Sequence, residues 1–223
     1  MKAIILAAGV GSRLGMPFPK SLNRLPNGET IIGRQIRILR ENNIQEIIAV
    51  VGFKMHFIME KHPDIFYCYN PFYYVTNTAK SLLSALEYIN EDVIWLNGDT
   101  IFDPEVIEKL KNTEGNAVCV NRTECGEEEV KYTLNEEGYL AHISKTIRNG
   151  LGEAVGINKI SEKDIGIFKK NLAVVNSDDY FEKAIEISIN EGIQFVPCDI
   201  SEYRCIEIDF NEDWEKAVAM FSE

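Results

Sequence analysis

An alternation is the feature that most narrows the folds open to this chain. Short apolar runs closed by turn residues, "AIILAA" before Gly9, "EIIAVVGF" ending at Gly52 and "DVIWLNGD", are each followed by a segment of helical period. Thr30 precedes a stretch in which Ile31, Ile32, Gln35, Ile36, Ile38 and Leu39 share mainly one helical face, and Asn77-Thr78 precedes the stripe Leu82, Leu83, Ala85, Leu86 and Ile89. A parallel crossover needs a covering helix, so strands alternating with helices imply a mostly parallel sheet and the class α/β. A short helix at 55–61, a strand "DIFYCYN" and a helix from Asp103-Pro104 continue the rhythm.

From about 117 to 160 the pattern changes. "AVCVNRT", "EVKYTLNEEGYLAHISK" and "EAVGINKIS" read as antiparallel strands with a turn at 135–138, expected as a small β insertion over one edge of the sheet. Helices are expected again at 165–170 and 177–190, then strands "IQFVPCD" and "CIEID" and a last helix from Asn211. The length, 223 residues, suits a single domain over 1–223.

Charge removes whole classes of partner. With 23 Lys and Arg against 35 Asp and Glu the formal net charge is −12, which repels nucleic acid and anionic membrane at long range. An anionic ligand therefore needs a local cationic pocket or a metal ion. The five cysteines are an odd set without a CxxC pair and read as reduced thiols of a cytoplasmic protein. The opening apolar run stops at Gly9, far short of the roughly 20 residues a membrane span requires.

The stretch "AIILAAGVGSRLGMPFPKSL" carries the chemistry. A dinucleotide fingerprint would need a third glycine where Leu14 stands, and a P-loop would need a glycine where Pro19 stands, so both are excluded. There remains a glycine-rich loop at the C-terminal end of a first strand, where open α/β sheets bind ligands, with two cations, Arg13 and Lys20, close by. Backbone N–H groups freed by Gly9 and Gly11 suit a polyphosphate; the competing reading is a plain turn with surface cations.

"LAAGVGSRLG…PK" resembles the signature of the nucleotidyltransferases that make nucleoside-diphosphate sugars and CDP-activated alcohols. The resemblance spans nearly the whole chain and implies a Rossmann-like, mostly parallel sheet flanked by helices. It also implies that Leu6, Ala7, Ala8, Gly9, Gly11 and Ser12 wrap a nucleoside triphosphate, with Arg13 and Lys20 on its phosphates. Asp99 in "WLNGDTIFD" matches the family's first magnesium ligand, and Asp209 in "CIEIDFNEDW" resembles the second, with Glu207 on the same strand face. Asp99 as a turn residue and Asp209 as a helix cap are the competing readings.

"NTAKSL" is similar to a pattern in cytidylyltransferases acting on phosphocholine, aminoethylphosphonate and related small phosphates, which assigns Asn77, Ser81 and Asn97 to the nucleotide and favours CTP. An N-cap and a helix-surface serine compete for Asn77 and Ser81. "HISKTI" and "GEAVG" resemble segments that place Lys145 on the phosphate being transferred and Glu153, with Glu207, on the second substrate. The expectation is a Mg²⁺-dependent enzyme moving CMP from CTP to a small phosphorylated or phosphonate alcohol or amine. Synthesis of an NDP-sugar from a sugar 1-phosphate is the alternative, since the interval from Arg13 to Lys20 is closer to that of uridylyltransferases. The aromatics of "IFYCYNPFYY" read as strand packing or as a wall for a choline-like cation, and His56, His62 and His142 fall outside every motif. A non-catalytic nucleotide sensor of the same fold remains the reading from another class.

Overall fold

The computed structural model describes residues 1–11, 17–122, 125–126 and 129–222. The first strand, β1 (Lys2–Ala7), is buried almost throughout, as a strand covered on both faces must be. β2 (Ile47–Val51), β3 (Phe66–Tyr69) and β4 (Val93–Asn97) join it in parallel, β2 and β4 flanking β1 and β3 outside β2. The sheet continues through β9 (Glu153–Ile160), β6 (Asn116–Asn121) and β10 (Phe195–Asp199), giving the order β10-β6-β9-β4-β1-β2-β3.

The stretch expected at an edge therefore lies largely inside the sheet. β9 runs antiparallel between β4 and β6, and β10 pairs in parallel with β6. Only the hairpin β7 (Lys131–Leu134) and β8 (Leu140–Ser144) stands aside, held to β9 where Lys131 pairs with Glu153. The polar residues of "GINKI" disguise a buried strand: Asn158 and Lys159 are enclosed, and Lys159 donates to the carbonyls of Thr113 at 2.6 Å and Lys111 at 3.2 Å. A buried lysine with its donors satisfied is tolerated where a bare one is not.

Helices cover both faces. α1 (Ile31–Glu41) begins at Thr30, whose hydroxyl accepts from the Gly33 N–H, and with α4 (Pro104–Asn112) it packs on the face carrying Ala3, Ile5 and Ala7. α3 (Thr78–Leu86), α5 (Glu162–Val174) and α6 (Phe181–Asn190) cover the face carrying Ile4 and Leu6. There Trp95 stacks on Phe168 and meets Phe181 edge-on. α5 outruns its expected span at both ends, and α6 starts only at Phe181 because the Asp179 carboxylate turns the chain by accepting from the Asn176 N–H. α2 (His56–Lys61) is short, and α7 (Asn211–Met220) packs its Ala217 with Leu25, Ile31 and Ile208. No helix among the described residues is long and apolar enough to cross a membrane.

One small element decides where the site lies. β5 (Thr100–Phe102), just beyond β4, pairs antiparallel with β11 (Cys205–Glu207), and Glu207 stands opposite Thr100. The Ile208 N–H donates to the Asp99 carbonyl at 3.1 Å, and Arg204 ion-pairs with Asp103 at the ribbon's other end. A late segment is thus tied to the C-terminal end of a central strand.

Candidate active site

The ends of β1 and β4 open onto a cavity of about 630 Å³. Leu6 and Ala7 line it from β1, with Gly9 and Gly11 following; Gly98 crosses close behind, its N–H donating to the Leu6 carbonyl at 2.9 Å. Gly11 has φ +63°, a conformation that disfavours a side chain, and a Cβ there would press on the Lys20 side chain at 3.3 Å. Lys20 opens a 3-10 turn, Lys20–Leu22, in which Ser21 is buried.

From that turn Lys20 reaches between the two aspartates. Its Nζ donates to Asp99 Oδ2 at 2.8 Å and to Asp209 Oδ1 at 2.9 Å, closing contacts between residues remote in sequence. Burial alone would lower the Lys20 pKa, but the two carboxylates more than offset it and hold the ammonium above its ordinary value. Glu207 joins them: Asp99, Glu207 and Asp209 each offer an oxygen within 4.8 Å of the others. Burial, then the negative charges of Asp99 and Asp209, push the Glu207 carboxyl well above its usual range. Asn97 Nδ2 donates to Glu207 Oε1 at 3.2 Å, and Gly156 leaves room for that amide, since a Cβ at its φ of +71° would come within 2.5 Å of it.

At the other end the cavity is lined by Lys145, Tyr180, Glu182, Glu153 and Glu129. Lys145 Nζ lies 4.9 Å from the centroid of the Tyr180 ring. Burial, with the nearby Glu129 charge, pushes Glu153 up to about 7; burial also pushes Glu182 up to about 7, against the opposing pull of its own backbone N–H and of Lys145. One carboxylate oxygen of Glu182 and one of Glu129 are buried with no hydrogen-bond partner among the described residues. Three carboxyl groups thus gather here, two of them with an oxygen left without a donor among the described residues.

Most of the residues singled out from the sequence meet here: Leu6, Ala7, Gly9, Gly11, Lys20, Asn77, Asn97, Asp99, Lys145, Glu153, Glu207 and Asp209 all line the cavity. Ser12 and Arg13 lie outside the described residues. Ala8 and Ser81 do not line the cavity: Ala8 is in the core, and the buried Ser81 hydroxyl accepts from Asn70 Nδ2 at 3.0 Å, because its helix turns that face to the sheet. Asn77 sits at the rim but spends its Oδ1 on the Thr78 N–H at 2.8 Å as the cap of α3. Asp209 does not cap α7; Asp213 does, accepting from the N–H groups of Asp209 and Phe210. The aromatic stretch is elsewhere, with Phe66, Tyr69, Phe72 and Tyr74 exposed at the β3 edge, and the aromatic beside the cavity's cation is Tyr180. No histidine lines the cavity.

Glu129, Tyr180 and Glu182 carried no motif. Glu182 reads as one more polar residue of an amphipathic helix, and only the meeting of α6 with the hairpin turns it inward.

A family model described as a MobA-like NTP transferase domain matches residues 3–162, which include the glycine loop, Lys20, Asp99, Lys145 and Glu153. The chain belongs to this family. As a MobA-like NTP transferase it is 35% identical over 132 residues to the CMP-5'-(3-aminopropyl)phosphonate synthase of Streptomyces rubellomurinus, covering 55% of this chain and 21% of that protein. It is 28% identical over 211 residues to the bifunctional protein GlmU of Methanococcus maripaludis, covering 87% of this chain and 49% of that protein. The chain thus spans half or less of the length of these two curated relatives. Among solved structures, the inositol-1-phosphate CTP transferase of T. maritima superimposes with a TM-score of 0.84 at 19% identity, over 99% of this chain and 94% of that one. The CTP:phosphocholine cytidylyltransferase of Streptococcus pneumoniae does so with 0.78 at 20% identity, over 98% of both chains. At those identities the likeness is one of fold.

Proposed function

We propose that this MobA-like NTP transferase moves CMP from CTP to a small phosphorylated or phosphonate acceptor bearing an amine or alcohol, releasing pyrophosphate. One observation carries the reading. Lys20, Asp99, Glu207 and Asp209, drawn from three remote segments, converge at the strand ends of an α/β sheet beside a glycine loop.

The carboxylate set fits a magnesium ion. All three donors are oxygens close enough to share one cation, and their crowding is relieved by a divalent charge. Bound there, Mg²⁺ would supply Lewis-acid neutralisation of the reacting phosphates. The remaining work falls to the chain itself. Gly9 and Gly11 let backbone N–H groups approach the triphosphate, and Lys20, with Arg13 as the sequence signature implies, takes up phosphate charge. Lys145 holds the acceptor's phosphate. That group is already ionised near neutral pH, so its oxygen attacks the α-phosphorus in line without a general base, which suits a cavity that no histidine lines.

The acceptor end favours an ammonium group. Glu129 and Glu182 each offer a buried carboxylate oxygen with no donor among the described residues, Glu153 lies beside Glu129, and Tyr180 already holds the Lys145 cation against its ring. The phosphonate synthase relative, named for an aminopropyl product, supports the same choice. The GlmU relative, which covers more of the chain, favours a second reading, transfer to a sugar 1-phosphate. Pyrophosphate release with CTP, UTP, GTP and dTTP, each against 3-aminopropylphosphonate, phosphocholine and N-acetylglucosamine 1-phosphate, separates them. Turnover confined to CTP and the amine acceptors supports the first reading; turnover only with UTP and the sugar phosphate replaces it.

A further inference from the structure

We propose that the Lys20 ammonium acts as a built-in counter-ion that keeps free divalent cations out of the carboxylate site until nucleotide phosphates draw it away. The inference rests on the reading of Asp99 and Asp209 as cation ligands and adds an order of binding to it. Lys20 Nζ lies 2.8 Å from one aspartate and 2.9 Å from the other, so its charge occupies the space that a cation shared by them would use. Its side chain is only 12% exposed, and the contact to Asp99 is the more shielded of the two, Asp209 being 41% exposed.

A lysine leaves such a seat only for another anion. The backbone of its 3-10 turn is held by the Leu22 N–H donating to the Pro19 carbonyl and the Asn23 N–H to the Lys20 carbonyl, while the side chain is a flexible stem next to the glycine loop where the triphosphate is expected. Lys216 also lines the cavity, but it faces Asp213 at 3.7 Å on an exposed side chain and not the two aspartates. Metal and nucleotide then enter as linked events. The bare enzyme binds metal weakly, and nucleotide opens the site by taking Lys20 onto its phosphates.

The test titrates the full chain with Mn²⁺ alone, followed by electron paramagnetic resonance, with no nucleotide present. K20M and K20Q should bind Mn²⁺ at least about tenfold more tightly than the wild type, whereas K20R, which keeps the charge, should exclude it as the wild type does. Two neutral replacements guard against the loss of one to misfolding, and Mn²⁺ should raise the melting temperature of the neutral variants but not of K20R. Equal Mn²⁺ affinity in wild type, K20M and K20R, abolished by D99N, overturns the lock while leaving the ligand assignment in place. Absence of protein-bound Mn²⁺ in every variant, with CTP or without it, removes the ligand assignment and the lock together.

Discussion

Asp99 and Glu182 face the same cavity, and the effects expected of replacing them are opposite. Asp99→Asn keeps the shape and one hydrogen-bond acceptor for Lys20 but removes a full charge from the site. A fall in kcat of at least ~10²-fold is expected, with the melting temperature changed little, as for the loss of one preorganised electrostatic contact. Steady-state pyrophosphate release on the purified variant measures it. Glu182 is 8% exposed and its folded-state pKa, about 7, lies above the ordinary carboxylate value. The folded protein therefore holds this proton more tightly than the unfolded chain does. Its ionisation costs nothing below pH 4.5, costs more as pH rises to 7, and costs the full amount, on the order of 3 kcal/mol, above that. Glu182→Gln should be more stable than the wild type at pH 8, and the gap should close towards pH 4.5, as urea unfolding at the two values will measure. Lys20, Asp99 and Asp209 were readable from the sequence because each ends an apolar run or belongs to a spaced signature. Glu129 and Glu182 were not, since nothing in a polar helix start or a loop glutamate tells which way the fold turns it.

Among the elements, β9 was the hardest to place. Its Asn158 and Lys159 suggest an exposed hairpin strand, yet both are enclosed, the lysine tolerated there because neighbouring carbonyls accept from it. The parallel strands and their helices were plain from the alternation, and the cap of α1 at Thr30 follows its sequence. What a single chain cannot display is non-local pairing: that β9 fits between β4 and β6, and that β11 reaches back to β5. Gly156 tests the value of that placement, since it joins β9 to the site with a positive φ and a close approach to Asn97. Gly156→Ala should cost about 1–2 kcal/mol from the strained backbone alone. By displacing the Asn97 amide from Glu207 it should also lower kcat/KM more than a stability loss of that size explains, which parallel unfolding and kinetic measurements will resolve.

At the scale of the whole molecule, net charge works against the nucleotide proposed as substrate. A protein of charge −12 repels a nucleotide polyanion at long range, while its attraction is confined to a few partly buried cations. Raising NaCl from about 0.01 M to about 0.1 M shortens the screening length from about 30 Å to about 10 Å, weakening the distant repulsion more than the enclosed contacts. The expected outcome is a rise of about twofold in kcat/KM for the nucleotide over that range, read from initial rates at saturating acceptor. The acidic balance was evident from composition, but its conflict with the pocket became visible only once Lys20 and Lys145 were found on the cavity wall.

The ribbon of β5 and β11 has a consequence for biogenesis. Glu207 and Asp209 follow every strand of the large sheet in the chain, so two of the three clustered carboxylates are synthesised after all the strands that form the cavity's floor. The carboxylate cluster is therefore complete only where this short C-terminal segment docks on β5 and brings both residues to Asp99.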